Sequence, residues 1–177
     1  METTEQSRIL DFGRFPGRWE ITRSTKDTQG ELLEMHFDIE TATGDSPPLH
    51  VHPHAEESYE VLSGVLEINV EGEWEQLTAG ERHSVPAGTA HTFRNKEPVK
   101  VKNVHKPALE YERFFRRFHQ LVTEQGVILP PKNFKSAVLM GMLFSDHEQE
   151  LTSVKPPQVV MRTLAVLGKL LGYRLPD

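Results

Sequence analysis

The feature that most narrows the fold is a change of hydrophobic period near Pro107. Before it, apolar residues recur at every second position. Leu33, Met35, Phe37 and Ile39 alternate with Glu34, His36, Asp38 and Glu40. Leu66, Ile68 and Val70 alternate with Glu67, Asn69 and Glu71, and Val99 and Val101 with Lys100 and Lys102. Successive side chains of a strand point to opposite faces, so this pattern describes strands with one buried face. Residues 19–23 give a further short strand, and residues 74–77 return after Gly72 as the second arm of a hairpin. Turn residues punctuate the runs at 44–48, 63–64, 71–72, 79–80 and 86–88. Short strands at this spacing predict an all-β sandwich or barrel over 18–106.

After Pro107 the period becomes about 3.6. Tyr111, Phe114, Phe115, Phe118, Leu121 and Val122 fall on one helical face. Pro107 suits a first helical turn and Gly126 a helix end. Proline pairs at 130–131 and 156–157 set off two more helices, over 134–146 and 159–172. The chain is therefore expected to divide into a β-barrel domain, 1–106, and a helical extension, 107–177, packed on the barrel or on a partner subunit.

Three histidines and a glutamate stand in the first part. His50 and His52 are two apart, so a strand presents both imidazoles on one face. Glu57 follows across a turn at 53–55, and a hairpin return brings it beside the pair. His91 enters from another strand after the turn at 85–88. Three imidazoles and one carboxylate are enough to hold a first-row divalent metal with coordination positions left open. His54 lies in the turn and has the wrong parity, and His36, His83, His119 and His147 read as ordinary surface or packed residues. Strand parity directs Tyr59, Val61, Phe93, Asn103 and His105 to the same interior, with Met35 and Phe37 from the earlier strand. Met35, Phe37, Tyr59, Phe93 and His105 are thus the candidate substrate-binding residues, although plain core packing explains the apolar ones equally well. Tyr59 and His105 are the candidates for catalytic proton handling.

The spacing resembles the cupin family. The first motif runs Gly44, five residues, His50, one, His52, four, Glu57, six, Gly64. The second runs Gly80, five residues, Pro86, one, Gly88, two, His91, three, Asn95. Fifteen residues separate Gly64 from Gly80. The resemblance implies a mainly β fold, a double-stranded β-helix or jelly-roll barrel followed by about three C-terminal α-helices. It also implies that His50, His52, Glu57 and His91 hold one divalent transition metal (Fe, Mn, Ni, Co, Cu or Zn), and that Asn95 and the glycines are structural. Cupins commonly pair barrels, so a homodimer is expected. The helical extension is the main departure from the minimal family pattern.

Composition limits the remaining choices. None of the 177 residues is cysteine, so disulfides and thiolate metal sites are excluded. The net charge is −6 with no basic block, which argues against nucleic acid as a partner. The amino terminus has no apolar run of signal-peptide type, and a cytoplasmic protein is expected. Residues 159–173 are apolar almost all round, with Arg162 and Lys169 the charged exceptions. This segment suits core packing, cover for a dimer partner, or a membrane surface. The last is not expected, because interfacial helices usually carry more basic residues. The functional expectation is a metal-dependent dioxygenase or isomerase acting on a small organic anion. The alternative is a non-catalytic cupin that binds or senses a small ligand or metal.

Overall fold

A computed structural model describes residues 7–44 and 47–177. The expected turn at 44–48 includes Asp45 and Ser46, which lie outside the described residues, as do residues 1–6, part of the segment read for a leader. In chain order the strands are β1 (Ile9–Asp11), β2 (Arg18–Arg23), β3 (Leu33–Ile39), β4 (Leu49–Val51), β5 (Glu56–Ser63), β6 (Val65–Val70), β7 (Glu73–Thr78), β8 (Arg82–Val85), β9 (His91–Arg94) and β10 (Val99–Lys106). Helices α1 (Tyr111–Thr123) and α2 (Phe134–Asp146) follow, then strand β11 (Thr152–Lys155) and helix α3 (Gln158–Leu170). The strands form two antiparallel sheets, ordered β1-β2-β3-β10-β5-β8 and β11-β4-β9-β6-β7. Face to face they make a double-stranded β-helix, a jelly roll, with three helices C-terminal to it.

Alternation predicted the buried face well. Leu33, Met35, Phe37 and Ile39 of β3 are buried, and the residues between them are partly exposed. Register then spreads that parity across the sheet. Trp19 pairs with Phe37 and Phe37 with Val101; Asn103 pairs with Met35 and Tyr59; His105 pairs with Leu33 and Glu57. Partners directly opposite share a face, so these side chains all look into the space between the sheets. Across that space the rings of Tyr59 and Phe93 meet at 5.6 Å.

Two turns explain why the strands reverse where they do. Glu71 (φ 52°) and Gly72 (φ 97°) are both left-handed, the two-residue loop whose twist matches a hairpin. Gly64 joins β5 to β6 at φ +84°, and a Cβ there would meet Pro98 O at 2.4 Å. Only glycine fits both the dihedral and the close approach.

The helices depart from expectation in detail. Pro107 precedes α1 by four residues and does not form its first turn; the intervening segment turns through Ala108 before Tyr111 begins the helix. The apolar face of α1 is buried at Tyr111, Phe114, Phe115, Leu121 and Val122, with Phe118 half-buried. It lies over the interior face of the larger sheet, where Phe115 meets Trp19, Phe37 and His105. Asn133 caps α2 by accepting from Ser136 N at 2.8 Å. The α2–α3 pair is close because Gly141 and Gly168 face the contact. Strand β11 was not foreseen: it belongs to the extension yet pairs with β4 at the edge of the smaller sheet.

Candidate metal centre

The site is assembled from both sheets. His50 on β4 pairs directly with His91 on β9. Glu57 reaches across from β5, and His52 follows the end of β4. The ligand atoms of His50, His52, Glu57 and His91 lie within 4.8 Å of one another, and all four residues are buried. His54 is exposed in the turn, as its parity indicated.

Hydrogen bonds preset the rings. His50 Nδ1 lies 2.8 Å from Pro48 O, His91 Nδ1 2.9 Å from Thr89 O, and His52 Nδ1 2.8 Å from Glu150 O. A carbonyl oxygen only accepts, so each Nδ1 carries the proton and each neutral ring keeps its lone pair on Nε2. Yet His52 Nε2 and His91 Nε2 both stand against Glu57 Oε2, at 2.8 and 2.7 Å. Neutral rings of this tautomer have no hydrogen to give that oxygen. Lone pairs converging on a carboxylate call for a cation between them, and this donor set fits a single divalent transition metal.

Protonation is the competing way to fill that demand. Burial, with repulsion from His91 and His52, holds His50 well below the usual imidazole range. Burial also lowers His91, but acceptance by the Glu57 carboxylate, its negative charge and the Thr89 carbonyl together more than offset it, and the net direction is upward. His91 is therefore readier than His50 to take a proton when no metal is present. Burial would raise Glu57, but the surrounding imidazoles hold it below the usual carboxylate range, so it stays ionised. Its other oxygen accepts from Asn103 Nδ2 at 2.7 Å.

Sequence reading missed the groups that orient His52. Tyr111 OH on α1 lies 2.8 Å from His52 Nδ1 and donates to the backbone carbonyl of Glu150. Glu150 itself lies just before β11, and its carboxylate faces His147 Nδ1 at 3.2 Å. No spacing rule links positions so far apart; only the pairing of β11 with β4 brings them together.

A cavity of about 750 Å³ is lined by His50, His52 and Glu57 of this cluster. Of the expected substrate-binding residues, Phe37, Tyr59, Phe93 and His105 line it. Met35 does not: it is fully buried within the sheet's packed core. Asn103 bonds Glu57 beneath the cavity rather than lining it. His105, half of the proton-handling pair read from sequence, stands 3.3 Å from Glu57 Oε1 through its Nε2. Burial lowers its pKa to about 3, so the ring is neutral. Burial, then the charge of Glu57, raises the Tyr59 hydroxyl above its ordinary value.

The sequence model of the cupin domain matches residues 37–105. Quercetin 2,3-dioxygenase of Bacillus subtilis (strain 168) is 40% identical over 65 residues, which cover 37% of this chain and 19% of that protein. The chain thus spans about a fifth of that relative. Among solved structures, KdgF from Halomonas sp. is similar with 20% identity and a TM-score of 0.46, over 54% of this chain and 83% of that one. A protein from Thermotoga maritima described as a predicted oxalate decarboxylase gives 18% identity and a TM-score of 0.45, over 51% of this chain and 79% of that one.

Proposed function

Taking residues 37–105 as the cupin domain they are, we propose that this protein uses one divalent metal to act on a small organic anion, by oxygenase- or isomerase-type chemistry. The observation that carries the reading is the convergence of three preset Nε2 lone pairs and one carboxylate at the base of a cavity. A divalent ion held by His50, His52, Glu57 and His91 would act as a Lewis acid for an anionic ligand, because three neutral imidazoles and one carboxylate leave the centre a net positive charge. The candidate metals are Fe, Mn, Ni, Co, Cu and Zn.

The chain's own residues divide the remaining work. Tyr59 keeps its proton under the influence of burial and Glu57, so it offers a hydrogen-bond donor to a ligand oxygen. His105 stays neutral and binds protons weakly, so it serves as a hydrogen-bonding partner rather than a general base at neutral pH. The apolar walls exclude water from the reacting end. Pairing into a homodimer belongs to the same reading, with the exposed apolar face of α3 as its support; light scattering tests it.

The test is oxygen uptake and product formation by protein loaded with Fe(II) or Mn(II), against a panel of enolates, β-diketones and flavonols. The flavonols enter through the resemblance to quercetin 2,3-dioxygenase. Metal-dependent turnover of one class supports the reading. Silence across the panel, with ligand binding retained, replaces it with a non-catalytic binding module.

A further inference from the structure

The match to the cupin domain ends at residue 105, but the cavity wall does not. Away from the metal ligands the cavity runs beneath the C-terminal helices. Phe115 of α1, Met140 and Phe144 of α2, and Met161 and Leu164 of α3 line it. That end offers carbon and thioether surface. The metal end is different. Tyr59 and His105, each 1% exposed, carry a hydroxyl and an Nδ1 that form no hydrogen bond of good geometry among the described residues, the Tyr59 hydroxyl lying near the Glu57 carboxylate. Both flank the ligand set: the His105 ring lies 5.0 Å from His52, and the Tyr59 ring 6.5 Å from His91. Buried polar atoms are normally paired, so these two beside the ligand set are themselves a sign of a missing ligand group; a third, Trp19 Nε1, lines the same cavity.

We propose that the cavity binds an amphipathic organic acid, with its carboxylate or enolate head at the metal ligands between Tyr59 and His105, and an aryl or medium-chain alkyl tail beneath α2 and α3. The proposal rests on the reading of His50, His52, Glu57 and His91 as a metal site that takes an organic anion. It adds that the helical extension is a roof that selects for the tail. A short hydrophilic acid fills the metal end alone and leaves the roof's apolar surface uncovered. A longer tail removes that surface from water as it lengthens.

The experiment is calorimetric titration of the full-length Co(II)-loaded protein with 2-oxo acids that share one head: pyruvate, 2-oxobutyrate, 2-oxohexanoate, 2-oxooctanoate and phenylpyruvate. Affinity is expected to rise about fourfold per added methylene, the ratio that corresponds to ~0.8 kcal/mol for burying one, until the tail fills the roof. Met140→Trp places bulk under α2 and is expected to weaken 2-oxooctanoate by about tenfold or more while pyruvate stays within about twofold. If Met140→Trp fails to fold by circular dichroism, the chain-length series on the unsubstituted protein decides alone. Pyruvate binding with a flat or falling length series overturns the amphipathic acid and leaves the metal–anion reading standing. Binding of none of the acids, pyruvate included, overturns both.

Discussion

His52 is oriented from outside its own sheet. Its Nδ1–H donates toward the Glu150 carbonyl and the Tyr111 hydroxyl oxygen, which follow it by 98 and 59 residues. Partners of this kind typically change metal affinity 10–100-fold when removed. Tyr111→Phe keeps the ring that stacks on His105 at 4.1 Å and deletes only the hydroxyl. It is expected to weaken Co(II) or Zn(II) binding by about tenfold in a competition with a fluorescent chelator; unchanged affinity would show that the carbonyl alone suffices. The ligands themselves should behave differently. His50→Ala and His91→Ala are expected to lose the metal by elemental analysis while far-UV circular dichroism stays near that of the parent, since the hydrophobic core cluster does not depend on either imidazole for its members. Full occupancy in either variant would remove that residue from the ligand set. Metal and proton compete for the same Nε2 atoms, and His91 is raised toward protonation by Glu57. Affinity should therefore fall as pH drops below about 6, and a flat binding curve down to pH ~4.5 would contradict the imidazole assignment.

At the scale of elements, α2 and α3 are held together by the absence of side chains. A Cβ on Gly141 would sit 2.6 Å from Leu164 Cβ and 3.2 Å from Met161 O. Alanine gains about 1 kcal/mol over glycine in a helix, whereas forcing an extra carbon into a packed contact costs ~1–3 kcal/mol. Because the opposing atoms are a Cβ and a backbone oxygen, neither can swing aside, and the packing cost should win. Gly141→Ala is expected to lower stability by about 1 kcal/mol in urea unfolding; a gain would mean that α3 shifts freely. The elements also show what a sequence discloses. β3 was legible because seven residues alternate without interruption. The span of α2 was legible because a proline pair precedes it and its N-cap asparagine holds the first turn. β11 was not, because it has four residues with one buried, and its identity depends on β4, far behind it in the chain. At the site, the same limit applied. Parity and turn glycines pointed to the four residues that the structure gathers, His50, His52, Glu57 and His91, and left His54 aside, while Tyr111 and Glu150 act through contacts that no local period records.

For the molecule as a whole, buried neutral histidines link stability to pH. Burial, then the charge of Arg117, lowers His147 from 6.5 to about 4. Its folded value lies below its unfolded value, so between about pH 6.5 and 4 the unfolded chain binds a proton that the native protein refuses. Stability should fall as pH drops through that window, by up to about 1.4 kcal/mol per pH unit from this residue. His147→Gln should flatten the slope measured by denaturant titration between pH 7 and 5, and an unaltered slope would assign the effect to other groups. No helix among the described residues is long and apolar enough to cross a membrane. The apolar surface of α3 is instead split between a face packed on α2, through Met161, Ala165 and Gly168, and an exposed face with Val159, Val166 and Leu170. The pairing of β11 with β4 has a consequence in time as well as space. A ribosome releases His50, His52, Glu57 and His91 long before it releases Glu150. Chains arrested near residue 130 hold all four proposed ligands but lack the carbonyl that turns His52 inward, and should capture metal more weakly than the 177-residue chain. On the metal reading, the site would gain the carbonyl that orients His52 only after residue 150 has been made.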